Sequence, residues 1–169
     1  MSANEPIECM IIRRKGRKAG CPLDGSAEYA VHAEGLRFKT LVHYFIALLN
    51  WTDAGWRRAV ASSNSTAALW EWAWTNSPVG LHSQAAITSA MEAAMLAICH
   101  TNLQVVAYLR YTQTRRLVCG EEDPRWGGPE NLFGSLWESV RAEVLQAPAT
   151  PEESSLISRR WAASEPMQE

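Results

Sequence analysis

The chain has 169 residues and a formal net charge of −2. This length is enough for one domain with a hydrophobic core, and the charge gives no overall attraction to nucleic acid or to a membrane surface. No apolar run approaches the ~20 residues of a transmembrane helix, and the start of the chain lacks a signal-peptide core, so a cytoplasmic protein is expected. The four cysteines contain no Cys-x-x-Cys pair, which favours free thiols over a disulfide framework or a zinc site.

The first 39 residues predict short strands and a basic loop. Strands are expected at Ile7–Ile12, Tyr29–His32 and Leu36–Phe38, and the last two form a hairpin that turns at Glu34-Gly35. A cluster of five cations follows the first strand. It is interpreted either as a contact for phosphate or nucleic acid or as a solvated turn, and it comprises Arg13, Arg14, Lys15, Arg17 and Lys18.

Residues 40–146 predict a helical body. Its first helix is apolar nearly all round, which is typical of a buried helix, and Thr40 can cap it. A helix that follows Ser65 carries three tryptophans, of which Trp70 and Trp74 share a face. The last helix is expected from about Glu130 to Leu145. The pattern therefore predicts a mainly α-helical α+β fold in a single domain, residues 1–146, with its few short strands near the N-terminus.

From Ala147 the composition changes to Pro, Ser, Glu and Ala. Residues 147–169 are therefore predicted to form a flexible tail, with a short helix near Ser155–Trp161.

The stretch Asp123–Gly134 combines glycines and prolines with reactive or aromatic side chains. Gly127 and Gly128 can adopt conformations closed to other residues, and the two prolines restrict the chain around them. A loop that holds Trp126 between such residues and also carries an acid is a plausible wall of a small-molecule site. The alternative is an ordinary turn whose tryptophan fills the core.

Three blocks, taken in order, resemble the NADAR family of N-glycosidases. They are Phe38-x-Thr40-x-x-His43-Tyr44-Phe45, then Thr101-Asn102 after a long helix around Met91, and finally Asp123-x-x-Trp126-Gly127 with Asn131-x-x-Gly134 and Arg141. The resemblance covers roughly residues 34–145. It implies a mainly helical α+β domain that cleaves the C–N glycosidic bond of an ADP-ribosylated base or a ribosyl-phosphate compound. No metal and no dissociable cofactor are expected.

The implied chemistry accounts for the residue types. Breaking a C–N glycosidic bond leaves an oxocarbenium-like sugar, which a carboxylate can stabilise or supply with an activated water. The leaving base needs a proton donor and an aromatic wall. The resemblance thus makes Asp123 the catalytic residue, and it assigns substrate binding to Trp126, Gly127, Asn131, His43 and Tyr44.

Two departures from the family pattern bear on activity. The glutamate expected just before His-Tyr-Phe is Val42 here, and the expected lysines are absent from 46–49 and 96–99. Loss of one acid–base group costs about 10² to 10⁴ in rate. Three hypotheses follow: a divergent N-glycosidase in which Glu34 or Glu122 replaces the missing acid; an inactive module that binds a nucleotide or ADP-ribose; and an interaction protein that presents the tryptophan-rich helix to a partner.

Overall fold

The computed structural model describes residues 5–11, 21–76, 82–120 and 125–161. Within these ranges the chain forms four short strands, β1 Ile7–Cys9, β2 Val31–Ala33, β3 Leu36–Phe38 and β4 Leu117–Cys119. The helices are α1 Leu41–Leu49, α2 Ala54–Ser62, α3 Thr66–Asn76, α4 Gln84–Thr101, α5 Leu103–Thr112, α6 Leu132–Val144 and α7 Pro151–Arg160. The prediction of a mainly α-helical α+β fold is confirmed.

The strands form two separate pairs. β2 and β3 make the predicted antiparallel hairpin, in which Val31 lies opposite Phe38. Its turn places both Glu34 and Gly35 at positive φ, a conformation that glycine adopts without strain. β1 pairs in parallel with β4, so that Cys9 lies opposite Cys119. This second pairing joins positions about 110 residues apart, and a local pattern carries no signal for it.

The core is built around α1. Its sequence is apolar on nearly every side, and the helix packs against α2, α3 and α4 as well as β3. Thr40 caps it, as predicted, by accepting the backbone N–H of His43 at 3.3 Å. Phe45 of α1 and Met91 and Met95 of α4 are fully buried. Enclosure on several sides explains why α1 lacks the polar face of a surface helix.

The C-terminal segment contains a longer helix than the sequence predicts. α7 begins at Pro151, four residues before the predicted start, and packs against α5. Thr150 and Glu153 form a capping box, a signal that is readable as Thr150-x-x-Glu153. Glu153 also accepts from Arg110 Nε at 2.6 Å, and Trp161 stacks on Tyr111. The proposed boundary at residue 146 stays a prediction, and residues 162–169 lie outside the described part.

In the described part of the chain, none of the helices combines the length and the apolar character needed to cross a membrane.

Candidate functional site

Trp126 is fully buried, at 0% exposure. Its ring makes an edge contact with Phe45 of α1 at 5.8 Å and lies 6.3 Å from Trp70 of α3, between ring centroids. The sequence leaves open whether this indole walls a small-molecule site or fills the core, and the structure places the side chain in the aromatic part of the core. The backbone carbonyl of Trp126 accepts the N–H of Phe133 at 2.9 Å, which holds the loop against the start of α6.

The indole N–H of Trp126 is buried, and it has no hydrogen-bond partner among the residues that the structure describes. Trp137, which is equally buried, donates its indole N–H to the carbonyl of Leu23 at 3.0 Å. A buried donor without an acceptor costs about 1–3 kcal/mol. Trp126 therefore carries a buried donor that the described residues leave unsatisfied.

Asn131 connects α6 to strand β4. Its Nδ2 donates to the carbonyl of Leu117 at 2.7 Å, and its Oδ1 accepts the backbone N–H of Cys119 at 2.6 Å. The residue is buried in the left-handed conformation, which asparagine tolerates better than most residues. A Cβ on Gly134 would lie 2.2 Å from the Leu117 carbonyl and 2.5 Å from Asn131 Nδ2. The Asn131-x-x-Gly134 motif thus has a structural role here: the amide clasps the strand, and the glycine leaves room for it.

Both ring nitrogens of His43 also have hydrogen-bond partners within the protein. Its Nε2 lies 3.3 Å from the carbonyl of Ser63, which can only accept, and its Nδ1 lies 2.8 Å from Thr40 Oγ1. The network therefore assigns the proton to Nε2 and makes Nδ1 the acceptor from the threonine hydroxyl. Burial lowers the pKa of His43 below its ordinary value of 6.5, and the nearby Lys39 ammonium adds to this while the bond to Ser63 opposes it. A neutral, fully bonded imidazole fits a role in joining α1 to the α2–α3 connection.

Tyr44 points to a different surface. Its ring lies 5.4 Å from Phe38 and 5.9 Å from Trp51, and the side chain is half-buried. Burial raises the pKa of Tyr44, and the carboxylate of Glu34 raises it further. Glu34 itself is exposed and pairs with Arg57 at 3.1 Å. The acid proposed as a replacement for the missing glutamate is thus engaged at the hairpin turn, beside Tyr44.

Val42, at the position of the missing glutamate, is packed inside the protein. It is 0% exposed, and its backbone N–H donates to the carbonyl of Gly25 at 3.0 Å. A Cβ on Gly25 would lie 2.9 Å from Val42 Cγ2 and 2.6 Å from the Ile11 carbonyl. Gly25 therefore lets the loop before β2 sit directly on the valine methyl, a role that the sequence pattern did not reveal.

Several predicted residues cannot be placed. Asp123, Glu122 and the basic residues Arg13, Arg14, Lys15, Arg17 and Lys18 lie outside the described residues. Gly127, next to Trp126, is buried. Among the predicted residues that are described, the structure brings Trp126 onto α1 through Phe45, while His43 and Tyr44 of the same helix contact other groups. The sequence pattern does not assign Phe45 or Trp70 to a ligand-binding site, because apolar side chains in apolar helices give no signal of ligand binding.

Two cavities are described away from these residues. One of about 300 Å³ lies between α4, α5 and α6. Another of about 340 Å³ lies between α2 and α3 and is lined by Ala59, Ser62, Ser63, Ala68, Leu69 and Trp72. None of the predicted site residues that the structure describes lines either cavity. In the described ranges, His, Cys, Asp and Glu side chains form no group of three or more that could hold a metal ion.

No protein-family model matches the chain, and no curated protein does either. Among solved structures, the NMR structure of the E. coli protein YbiA matches with a TM-score of 0.66. The chain has a YbiA-like fold. The match covers 89% of this chain and 95% of YbiA at 19% identity. The structural similarity to YbiA confirms the fold that the sequence resemblance implies. The roles of individual residues stay predictions.

Proposed function

We propose that this protein binds a nucleotide-like compound that carries ribose and phosphate, and that it has little or no hydrolase activity. The main observation in support is the environment of Val42. This residue occupies the position of the glutamate in the NADAR pattern, and it is packed against Gly25. Valine can neither take nor give a proton. The packing also leaves no space at this position for a water molecule to do so.

The unpaired indole N–H of Trp126 supports a binding role. An acceptor atom of a ligand, or an ordered water beside it, would satisfy this buried donor and recover the free energy that its isolation costs. The side chain is fixed by its contacts with Phe45 and Trp70 and is fully buried, so the proposed ligand would reach this donor through a local opening of the structure. Asp123 lies three residues earlier in the chain.

Neither of the other hypotheses has equal support. A divergent N-glycosidase would have to rely on Asp123 or Glu122, because Glu34 is paired with Arg57 and His43 is bonded on both nitrogens. An interaction protein that presents the tryptophans of α3 is also less favoured. Trp72 stacks on Trp56 at 4.6 Å, and Trp70 packs on Phe45 at 6.0 Å, so a large part of these half-buried rings already contacts the rest of the domain.

The test uses the full chain, with ADP-ribose as the binding probe and an ADP-ribosylated guanine nucleotide as the hydrolysis substrate. Binding is followed by the melting temperature and by tryptophan fluorescence, and hydrolysis by chromatography of the released base. ADP-ribose should raise the melting temperature, and no base should be released. Base release that Asp123→Asn abolishes would establish the glycosidase instead, and a flat response to ADP-ribose would refute the binding proposal.

A matched pair of variants isolates the unused donor. Trp126→Phe removes an unpaired N–H, whereas Trp137→Phe removes one that donates to Leu23. The two residues are equally buried, so Trp137→Phe should be the more destabilising by about 1–3 kcal/mol. Trp126→Phe should also weaken ADP-ribose binding by about fivefold to tenfold. Unchanged binding in this variant would separate the indole from the ligand.

A further inference from the structure

The cavity of about 300 Å³ between α4, α5 and α6 shares no lining residue with the candidate site. Its apolar lining comes from Leu96 and Cys99 of α4, Val106 of α5 and Val144 of α6. The segment between α6 and α7 closes one side with Ala147 and Pro148. A concave surface of this volume lies at the lower end of the range for small-molecule sites.

Arg110 is the arginine among the lining residues, and Glu153 already balances its charge. Its Nε donates to Glu153 at 2.6 Å, and the two side chains are only 12% and 8% exposed. Its Nη2 donates to the carbonyls of Ala147 at 2.8 Å and Pro148 at 3.2 Å. These bonds hold the wall of the cavity in place, and they leave the guanidinium poorly suited to pair with an incoming anion.

The second carboxylate of the lining has a different environment. Glu143 is exposed at the end of α6 and makes no ion pair within the described part of the chain. Cys99 lines the same cavity. Burial raises the pKa of its thiol to about 12, and the negative charge of Glu143 is the second, smaller cause of this rise. The carboxylate is therefore part of the wall around the apolar floor.

The charge of the lining is negative. Arg110 contributes +1 while Glu143 and Glu153 contribute −2, which gives −1 when His100 is counted as neutral. Glu143 also lies in the last turn of α6, where the helix end carries partial negative charge. Both terms favour a cation, and the apolar floor favours a hydrocarbon body attached to it.

We propose that this cavity binds an organic cation, with its ammonium group at Glu143 and its apolar body against Leu96 and Val106. The site is separate from the nucleotide-binding role proposed above. The ligand class is a primary ammonium on a compact ring, small enough for the enclosed volume.

Benzylammonium and benzyl alcohol test the proposal, because they share a ring and differ in charge. The readout is NMR chemical-shift titration of the full chain, with Cys99 and Val106 as reporters of the cavity. Benzylammonium should bind about fivefold more tightly than benzyl alcohol. Glu143→Gln should remove that difference. Glu152→Gln, which alters an exposed carboxylate of α7 that does not line the cavity, should preserve it.

Three results would overturn the proposal. They are equal affinity for the two probes in the unmodified chain, equal weakening by Glu152→Gln and Glu143→Gln, and no shift at Cys99 or Val106 at the solubility limit of benzylammonium.

Discussion

Val42→Glu tests the packing on which the proposal of little or no hydrolase activity rests. The change enlarges the side chain by two heavy atoms. It also places a carboxyl group where Val42 Cγ2 already packs on Gly25. Overpacking a core costs about 1–3 kcal/mol. A buried carboxyl without a hydrogen-bond partner costs about 1–3 kcal/mol more. The variant should lose roughly 2–6 kcal/mol at neutral pH, a large part of the 5–15 kcal/mol that typically stabilises a domain.

The pH dependence identifies the cause. Burial should raise the pKa of the introduced carboxyl in the folded state above its unfolded value of about 4.3. The penalty should therefore grow as pH rises through 4.3 and level off above the folded pKa, at about 1.4 kcal/mol for each unit by which the pKa is raised. Relative to the unmodified protein, the variant should be most stable near pH 4.

Urea denaturation followed by tryptophan fluorescence measures these values, with Val105→Glu as the control. Val105 is equally buried and lies in α5. Both variants should lose several kcal/mol at pH 7. If Val42→Glu lost less than about 1 kcal/mol while Val105→Glu lost several, the new carboxylate would reach water. Position 42 would then border an open site, and the argument against hydrolysis would fail.

Three further predictions concern groups that hold elements together. Asn131→Ala removes both bonds to β4 and should cost about 2–4 kcal/mol, with faster amide exchange at Cys119. Glu153→Ala leaves Arg110 buried without its partner and should cost about 3–5 kcal/mol, with earlier protease cleavage between α6 and α7. The lowered pKa of His43 means that the unfolded chain takes up a proton first, so stability should fall as pH drops below 6.5 until the folded pKa is reached.

Each of these predictions has its own contradicting result. Unchanged amide exchange at Cys119 in Asn131→Ala would show that the clasp does not hold β4. Equal protease resistance of Glu153→Ala and Glu152→Ala would show that the buried pair does not fix α7. His43→Gln should flatten the stability profile between pH 7 and 5, and an identical slope in both proteins would assign that slope to other groups.

The sequence predicted well those features that arise within a few residues. The cap at Thr40, the buried character of α1 and the hairpin turn at Glu34-Gly35 depend on backbone preference and local hydrophobic periodicity, and all three are present. The start of α7 was predicted four residues too late, although the Thr150-x-x-Glu153 pattern was readable. Its other restraint, the bond from Arg110, spans 43 residues and has no local signal.

The candidate site could be predicted only as a set of residue types. The motifs pointed correctly to a fold, yet they did not say which way each side chain faces. Asn131 and His43 are both residue types that can bind ligands, and the structure shows both of them bonded within the protein. The same motif can thus serve structure or function, depending on which acceptors the fold brings near it.

Taken alone, the chain's residues determined the helical periodicity, the caps and the absence of a glutamate before His43, because each depends on neighbours in sequence. Tertiary structure decided that Trp126 packs against Phe45 and Trp70, with an N–H that no described residue accepts, and that Val42 is packed on Gly25. Burial and hydrogen-bond satisfaction are set by segments that are distant along the chain, and they become known only when those segments meet.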